Sequence, residues 1–197
     1  MTDLRGSSGA EKKKAGKPKG ALSVRYATPK EMKTAWEIES LTLAELWDLH
    51  PTTSRPLLPG EVKEIQKREV CRRFDPNNHR MLLALRNERI VGIAWFGFER
   101  TPVFGFYTGF LYSLAVIPEE RGRGVGRRLL EEVKRRSKKG GAKWLRLGVL
   151  HQNSRAMNLY RSAGFVDETH LMIARLEPTG PEKAKAEAAI RKNAIKV

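Results

Sequence analysis

Residues 121–128 read Arg-Gly-Arg-Gly-Val-Gly-Arg-Arg, four arginines and three glycines in eight positions, and run directly into a helical pattern. Glycine tolerates positive φ and lets a ligand approach the backbone, while arginine offers paired donors to an oxyanion. At a helix start such a segment also presents unpaired amides and the positive end of the helix dipole, a combination that attracts phosphate. The chemistry suggested is recognition of a pyrophosphate, with a solvated basic turn as the plainer alternative. A Walker loop is excluded because Gly126 is followed by Arg-Arg-Leu. The G-x-G-x-G spacing, late in the chain, is not that of a dinucleotide fingerprint either.

A second pair, Asn153 and Tyr160, lies seven residues apart, which is two helical turns and therefore one helix face if both residues are helical. Two roles are open to it. Asn153 caps the helix while Tyr160 packs with its hydroxyl bonded, or both address a ligand.

The elements that must position these residues follow from the pattern. "LSVRYA" (22–27) reads as a strand. Thr28, Pro29 and Glu31 start a helix that runs to about Leu46, and Val62, Ile65, Val70 and Phe74 give a second helix over 60–74. Residues 80–98 are two apolar runs about the turn "RNER", a hairpin signal, and 105–118 form a strand ending at Pro118. Val125, Leu129, Leu130 and Val133 mark one face of a helix that stops at Gly140-Gly141. A strand over 143–150, a helix over 154–163 and one or two strands over 165–176 complete the order β-α-α-β-β-β-α-β-α-β. The fold class is α/β, a mixed domain over residues 21–177.

Residues 1–20 and 178–197 have little to bury. The first reads as a disordered basic tail and the second as a basic Ala/Lys-rich tail able to form a loose helix. Of the formal net charge of +16, the tails carry +4 and +3, so most of it sits between them. That excess favours polyanionic partners. Cys71 is the single cysteine, expected on a helix and at least half-buried, and the four histidines show no metal-ligand spacing, so no metal is expected. No apolar run reaches membrane length and no signal peptide is visible, which leads us to expect a soluble, cytoplasmic protein without a membrane partner.

Arg121-x-x-Gly124-x-Gly126, after the strand "SLAVIPEE", resembles the R/Q-x-x-G-x-G/A pyrophosphate loop of the GCN5-related N-acetyltransferases (GNAT). "NSRAMNLYRSAGF" is similar to that family's second signature through Asn153, Ala156, Leu159, Tyr160, Gly164 and Phe165. The resemblance implies a mostly antiparallel sheet flanked by helices, acetyl-CoA as donor with CoA as product, and direct transfer to an amine without a covalent enzyme intermediate. By this likeness the backbone of Arg121, Gly122, Arg123, Gly124, Val125, Gly126 and Arg127 holds the pyrophosphate. Leu114, Ala115 and Val116 pair with the peptide-like arm of the cofactor, with the Leu114 N–H as an oxyanion donor. Asn153 bonds the arm, and Tyr160 stands as general acid for the departing thiolate.

The general base is less plain. The strands "FYTGFLYSLAV" (106–116) and "KWLRLGV" (143–149) carry no carboxylate or histidine, and Gly148 stands where protein N-terminal acetyltransferases often have Glu. Tyr112 and His151 are the candidates, with Glu99 or Glu168 at the end of a water chain. Deprotonating a lysine at pH 7 costs roughly 4.6 kcal/mol against roughly 1 kcal/mol for an α-amine, so a site without a strong base suits an α-amine. The expected acceptor is a protein or peptide amine, framed by the first two helices and the last strand pair near Asp48, His50, Asp167 and Glu168. The chain is expected to be a monomer or a homodimer. A second class stays open, an RNA- or ribosome-associated binding protein on the same fold, touching polyanions through its basic tails and the helix "RRLLEEVKRRSKK".

Overall fold

In the computed structural model, which describes residues 20–53 and 55–173, the chain builds one five-stranded sheet in the order β1-β2-β3-β4-β5. The strands are β1 Leu22–Tyr26, β2 Arg80–Arg86, β3 Arg89–Arg100, β4 Tyr107–Val116 and β5 Leu145–Leu147. The first four pair antiparallel, and β5 joins β4 in parallel. The helices are α1 Met32–Leu49, α2 Pro59–Ile65, α3 Val125–Lys139 and α4 Ser154–Ser162.

Local chemistry accounts for most of these boundaries. The β2–β3 turn places Asn87 (φ 49°) and Glu88 (φ 61°) both at positive φ, the requirement of the two-residue hairpin turn that matches strand twist. Before α1, Glu31 accepts from the Thr28 N–H at 2.9 Å and from its hydroxyl at 2.7 Å. Pro118 ends β4 because it cannot donate to a ladder.

β2 and β3 are buried on both faces. On one face α1 lays Trp36 edge-on against Trp95 at 5.5 Å. On the other, α3 buries Val125, Leu129, Leu130 and Val133, the stripe expected from its spacing. Since side chains alternate along a strand, Gly92, Phe96 and Phe98 face α3 while Trp95 and Gly97 face α1. Fully burying each of these aliphatic side chains stabilises by about 1.5–3 kcal/mol, so the stripe fixes α3 to the sheet.

Three expectations are corrected. The helix expected over 60–74 is α2, then a π turn Gln66–Val70 and a 3-10 turn Cys71–Arg73, where the wider turn lets Gln66 reach back to α1. β5 covers only Leu145–Leu147, since its partner strand bends away beyond Leu111. No strand forms over 165–173, where Val166, Leu171 and Met172 are 88%, 97% and 88% exposed and have no partner strand among the described residues. The rest of that expected strand, and both tails apart from Gly20, lie outside the described residues.

Candidate active site

The site begins with a defect in the sheet. Trp95 pairs with Ser113 and Phe96 with Leu111, so Tyr112 is an extra residue, a bulge that bends β4 and turns its own side chain onto the α1 face. Beyond it, β4 and β5 no longer pair. The Ile117 N–H bonds Val91 O at 3.1 Å, and by the alternation of an antiparallel ladder the amides of Leu114 and Val116 point away from β3 into the open side. Ala115, expected among the pairing residues, turns its own N–H and C=O inward to β3. The Val116 carbonyl is also taken, accepting from Arg121 Nε at 2.8 Å.

The glycine-rich loop follows at this open edge. Gly122 and Gly124 adopt φ of +73° and +82°, which L side chains rarely tolerate, and face open space. Gly124 caps α3 without any side-chain cap, and the first intrahelical bond runs from the Arg128 N–H to Gly124 O. The amides of Val125, Gly126 and Arg127 therefore stand in the first turn with no acceptor behind them. A Cβ on Gly126 would lie 3.3 Å from Leu159 of α4 and 3.5 Å from Leu114 of β4. Helix start, strand edge and α4 thus meet at one hydrogen atom.

Of the arginines, Arg121 is spent on structure, bridging β4 to Glu45 of α1 at 2.6 Å. Arg123 pairs with Glu120 at 3.3 Å, Arg127 donates to the Ser162 hydroxyl at 2.9 Å, and Arg128 is exposed. The loop remains a polar, exposed cradle of amides with cations at its rim, which fits a pyrophosphate.

Asn153 is not helical. It is the N-cap of α4, and its Oδ1 accepts the Ala156 N–H at 3.1 Å, so the shared-face expectation gives way to a capping position with its amide nitrogen unused among the described residues. Tyr160 packs on Phe165 at 5.8 Å, and its hydroxyl makes no hydrogen bond among the described residues. Burial pushes that hydroxyl up to about 12, so it keeps its proton at neutral pH.

Tyr112 stacks on Trp95 at 4.8 Å and packs on His79 at 4.6 Å, and its hydroxyl donates to Glu99 Oε2 over a long 3.4 Å. Burial first, then the Glu99 carboxylate, pushes it up to about 12, which opposes a base role for the phenol itself. Glu99 in turn faces Arg146 at 3.7 Å, which pairs with Glu168 at 2.7 Å. His151 is exposed in the turn after β5 and is not joined to either tyrosine by a hydrogen bond or ring contact. Cys71 is half-buried, and burial with the nearby Glu39 raises its thiol, so it is poorly suited to be a nucleophile.

The Tyr112–Glu99–Arg146 cluster joins three strands and was not legible as a unit. Tyr112 was named from sequence as a base and Glu99 as the end of a water chain, but nothing linked them to each other or to Arg146. The clamp from Arg121 to Glu45 had no sequence signal.

A model of the acetyltransferase (GNAT) family matches residues 36–165. The thialysine N-epsilon-acetyltransferase of Bos taurus is 40% identical over 60 residues, 30% of this chain and 35% of its own length. The chain therefore spans only about a third of that relative. An uncharacterized N-acetyltransferase of Bacillus subtilis, YhfO, is 29% identical over 115 residues, 55% of this chain and 74% of that protein. Among solved structures, a putative acetyl transferase from Pyrococcus furiosus aligns with a TM-score of 0.66 at 18% identity, covering 79% of this chain and 100% of that one. The likeness extends to AAC(6')-Iy in complex with a CoA-containing bisubstrate analog, with a TM-score of 0.54 at 16% identity over 79% of this chain and 98% of that one.

Proposed function

The chain belongs to the acetyltransferase (GNAT) family, and we propose that it is an acetyl-CoA-dependent N-acetyltransferase that acetylates a primary amine of a protein or peptide directly, an α-amine in preference to a lysine. The observation that carries this proposal is the meeting of the glycine-rich loop, the open edge of β4 and α4 at Gly126. A phosphate cradle beside a free strand edge suits a ligand with a pyrophosphate at one end and a peptide-like arm at the other.

When bound, acetyl-CoA supplies an acetyl group activated as a thioester. The chain's own residues do the rest. The amides from Gly122 to Arg127 hold the pyrophosphate, and Arg123, Arg127 and Arg128 raise the local positive potential. The backbone of Leu114 and the Val116 N–H pair with the arm, and the Asn153 amide nitrogen is available to it. The Leu114 N–H, fixed in place by the sheet, is aimed at the position where negative charge develops. Tyr160 holds its proton at neutral pH and gives it to the departing sulfur.

The amine proton leaves along the α1 face. Glu99, bonded to Tyr112 and opposed by Arg146, is the carboxylate nearest the bulge and serves as terminal acceptor, by way of water. Tyr112 positions that carboxylate, and exposed His151 is the alternative. With the phenol of Tyr112 held protonated at the bulge and Glu99 acting only by way of water, an α-amine is the easier nucleophile. The name of the bovine relative points to an ε-amine instead, so a thialysine-like small amine is the second candidate.

Mass spectrometry of a mixture of peptides with free α-amines, α-blocked lysine peptides and free thialysine, each offered with acetyl-CoA, separates these acceptors. Faster acetylation of the α-amines is expected. Exclusive acetylation of thialysine would move the acceptor to the second candidate, and transfer to none would contradict the proposal.

A further inference from the structure

The C-terminal half of α3 crosses the sheet face opposite Tyr112. With β1, β2 and β3 it borders an open pocket of about 300 Å³ whose lining includes Tyr26, Arg80, Phe98, Arg135, Arg136 and Lys139. Four cations thus line it. Glu132 offsets part of this charge, accepting from Arg135 Nε and Nη2 at 3.0 and 2.6 Å and from Arg136 Nε at 2.7 Å. Among the described residues Arg80 donates through Nη1 alone, to the carbonyls of Pro76, Asn77 and His79. Lys139 has no acceptor among the described residues.

Cations at a helix C-terminus complement the dipole, which accounts for their position on α3. It does not account for the aromatic rings left open among them. Tyr26 is 44% exposed with the Arg136 guanidinium 3.8 Å from its ring centre. Tyr107, also 44% exposed, extends the floor by stacking on Phe98 at 5.5 Å and 3°.

From these observations we propose that the pocket binds a segment of single-stranded nucleic acid, with bases stacking on Tyr26 and Tyr107 and phosphates on Arg80, Arg135 and Lys139. Exposed rings among cations are the recurring chemistry of single-strand binding, and a duplex keeps its bases stacked on one another and unavailable to such rings. A polymer is favoured over a lone nucleotide by the rest of the chain, since residues 1–20 and 178–197 add +4 and +3 of further charge. The pocket is independent of the acetyl-CoA site. It lies at the far end of α3 from Gly124, about 20 Å away by helical rise, and on the other face of the sheet from Glu99. Both sites can be filled together.

The test is fluorescence anisotropy of a labelled oligouridine, about 12 nucleotides long to span a typical site, with the full chain and three variants at two salt concentrations. Arg135→Glu/Lys139→Glu and, separately, Lys139→Glu should weaken binding by about tenfold or more and about threefold, with a shallower salt dependence. The charge-matched control Lys30→Glu/Lys33→Glu, exposed in the 3-10 turn before α1 and in the first turn of α1, should change it less than threefold. Unchanged acetyl-CoA binding and circular dichroism certify the fold of each variant. Equal losses in the pocket and control variants would overturn the pocket in favour of diffuse charge. Equal affinity for poly-glutamate or for phosphatidylserine vesicles would overturn the nucleic-acid assignment, as would tighter binding of uridine monophosphate than of the oligomer. No binding by the native chain would overturn the proposal outright while leaving the acetyltransferase assignment untouched.

Discussion

Arg86 Nε donates to Glu120 Oε2 at 3.0 Å, and the two side chains, 9% and 11% exposed, form an ion pair buried at the foot of the glycine-rich loop. Arg86 also holds Gly20 O at 2.9 Å, and Glu120 takes Arg123 at 3.3 Å. The end of β2 is thereby tied to the residue preceding Arg121, and the loop springs from a fixed point. Removing one partner of a buried pair strands the other. Glu120→Ala should cost about 3–5 kcal/mol in urea unfolding, because it leaves the Arg86 charge uncompensated.

Tyr160→Phe keeps the ring on Phe165 and removes only the proton donor. It should lower kcat by about a hundredfold, the low end of general-acid contributions, while the Kd for acetyl-CoA stays within about twofold because binding does not depend on that proton. Since the native hydroxyl titrates at about 12, kcat/KM should rise with pH as the acceptor amine loses its proton and show no descending limb below about pH 10. A descending limb near neutrality would remove Tyr160 from the acid role.

Glu99→Gln should lower kcat by at least about tenfold and leave acetyl-CoA binding intact, consistent with loss of a terminal proton acceptor. Tyr112→Phe should have a smaller effect, because the phenol positions Glu99 over a long 3.4 Å contact. His151→Ala should stay within about twofold of native, as no contact ties it to either tyrosine. Steady-state kinetics across pH order the three variants.

How much of this was visible in the chain itself depends on whether one stretch or several were involved. The α3 stripe of Val125, Leu129, Leu130 and Val133, the Asn87-Glu88 turn and the glycine-rich loop at the start of α3 are written in consecutive residues, and each of these elements lies where its spacing placed it. The bulge at Tyr112 is invisible in sequence because it is a mismatch between two strands. Arg121 read as a phosphate ligand because nothing local shows that Glu45, far back on α1, holds it. Asn153 and Tyr160 had the right spacing for one face, yet the cap geometry of Asn153 stops the helix one residue short of it. Residues 165–173 have a strand-like composition, but composition cannot provide the neighbouring strand that would bury Leu171 and Met172.

Glu132 should govern part of the acid stability. Its carboxyl titrates at about 2 in the fold because of its hydrogen bonds from Arg135 and Arg136, below its unfolded value. A depressed carboxylate contributes stability that is present above about pH 4.3 and is lost as pH falls toward 2. Glu132→Gln should be less stable than the native chain at pH 6, and the difference should shrink steadily between about pH 4.3 and 2 in thermal melts.

The central claim is that the loop, the β4 edge and α4 form an acetyl-CoA site. Isothermal titration of acetyl-CoA and of free CoA into the native chain and into Gly124→Asp/Gly126→Asp tests it most directly. The substitutions put a side chain where φ is +82° and where a Cβ meets Leu159 at 3.3 Å, and they add negative charge at the proposed phosphate cradle. Micromolar binding of both ligands by the native chain, lost in the variant with its circular dichroism unchanged, is the predicted result. No binding by the native chain, or equal binding by a folded variant, would contradict it.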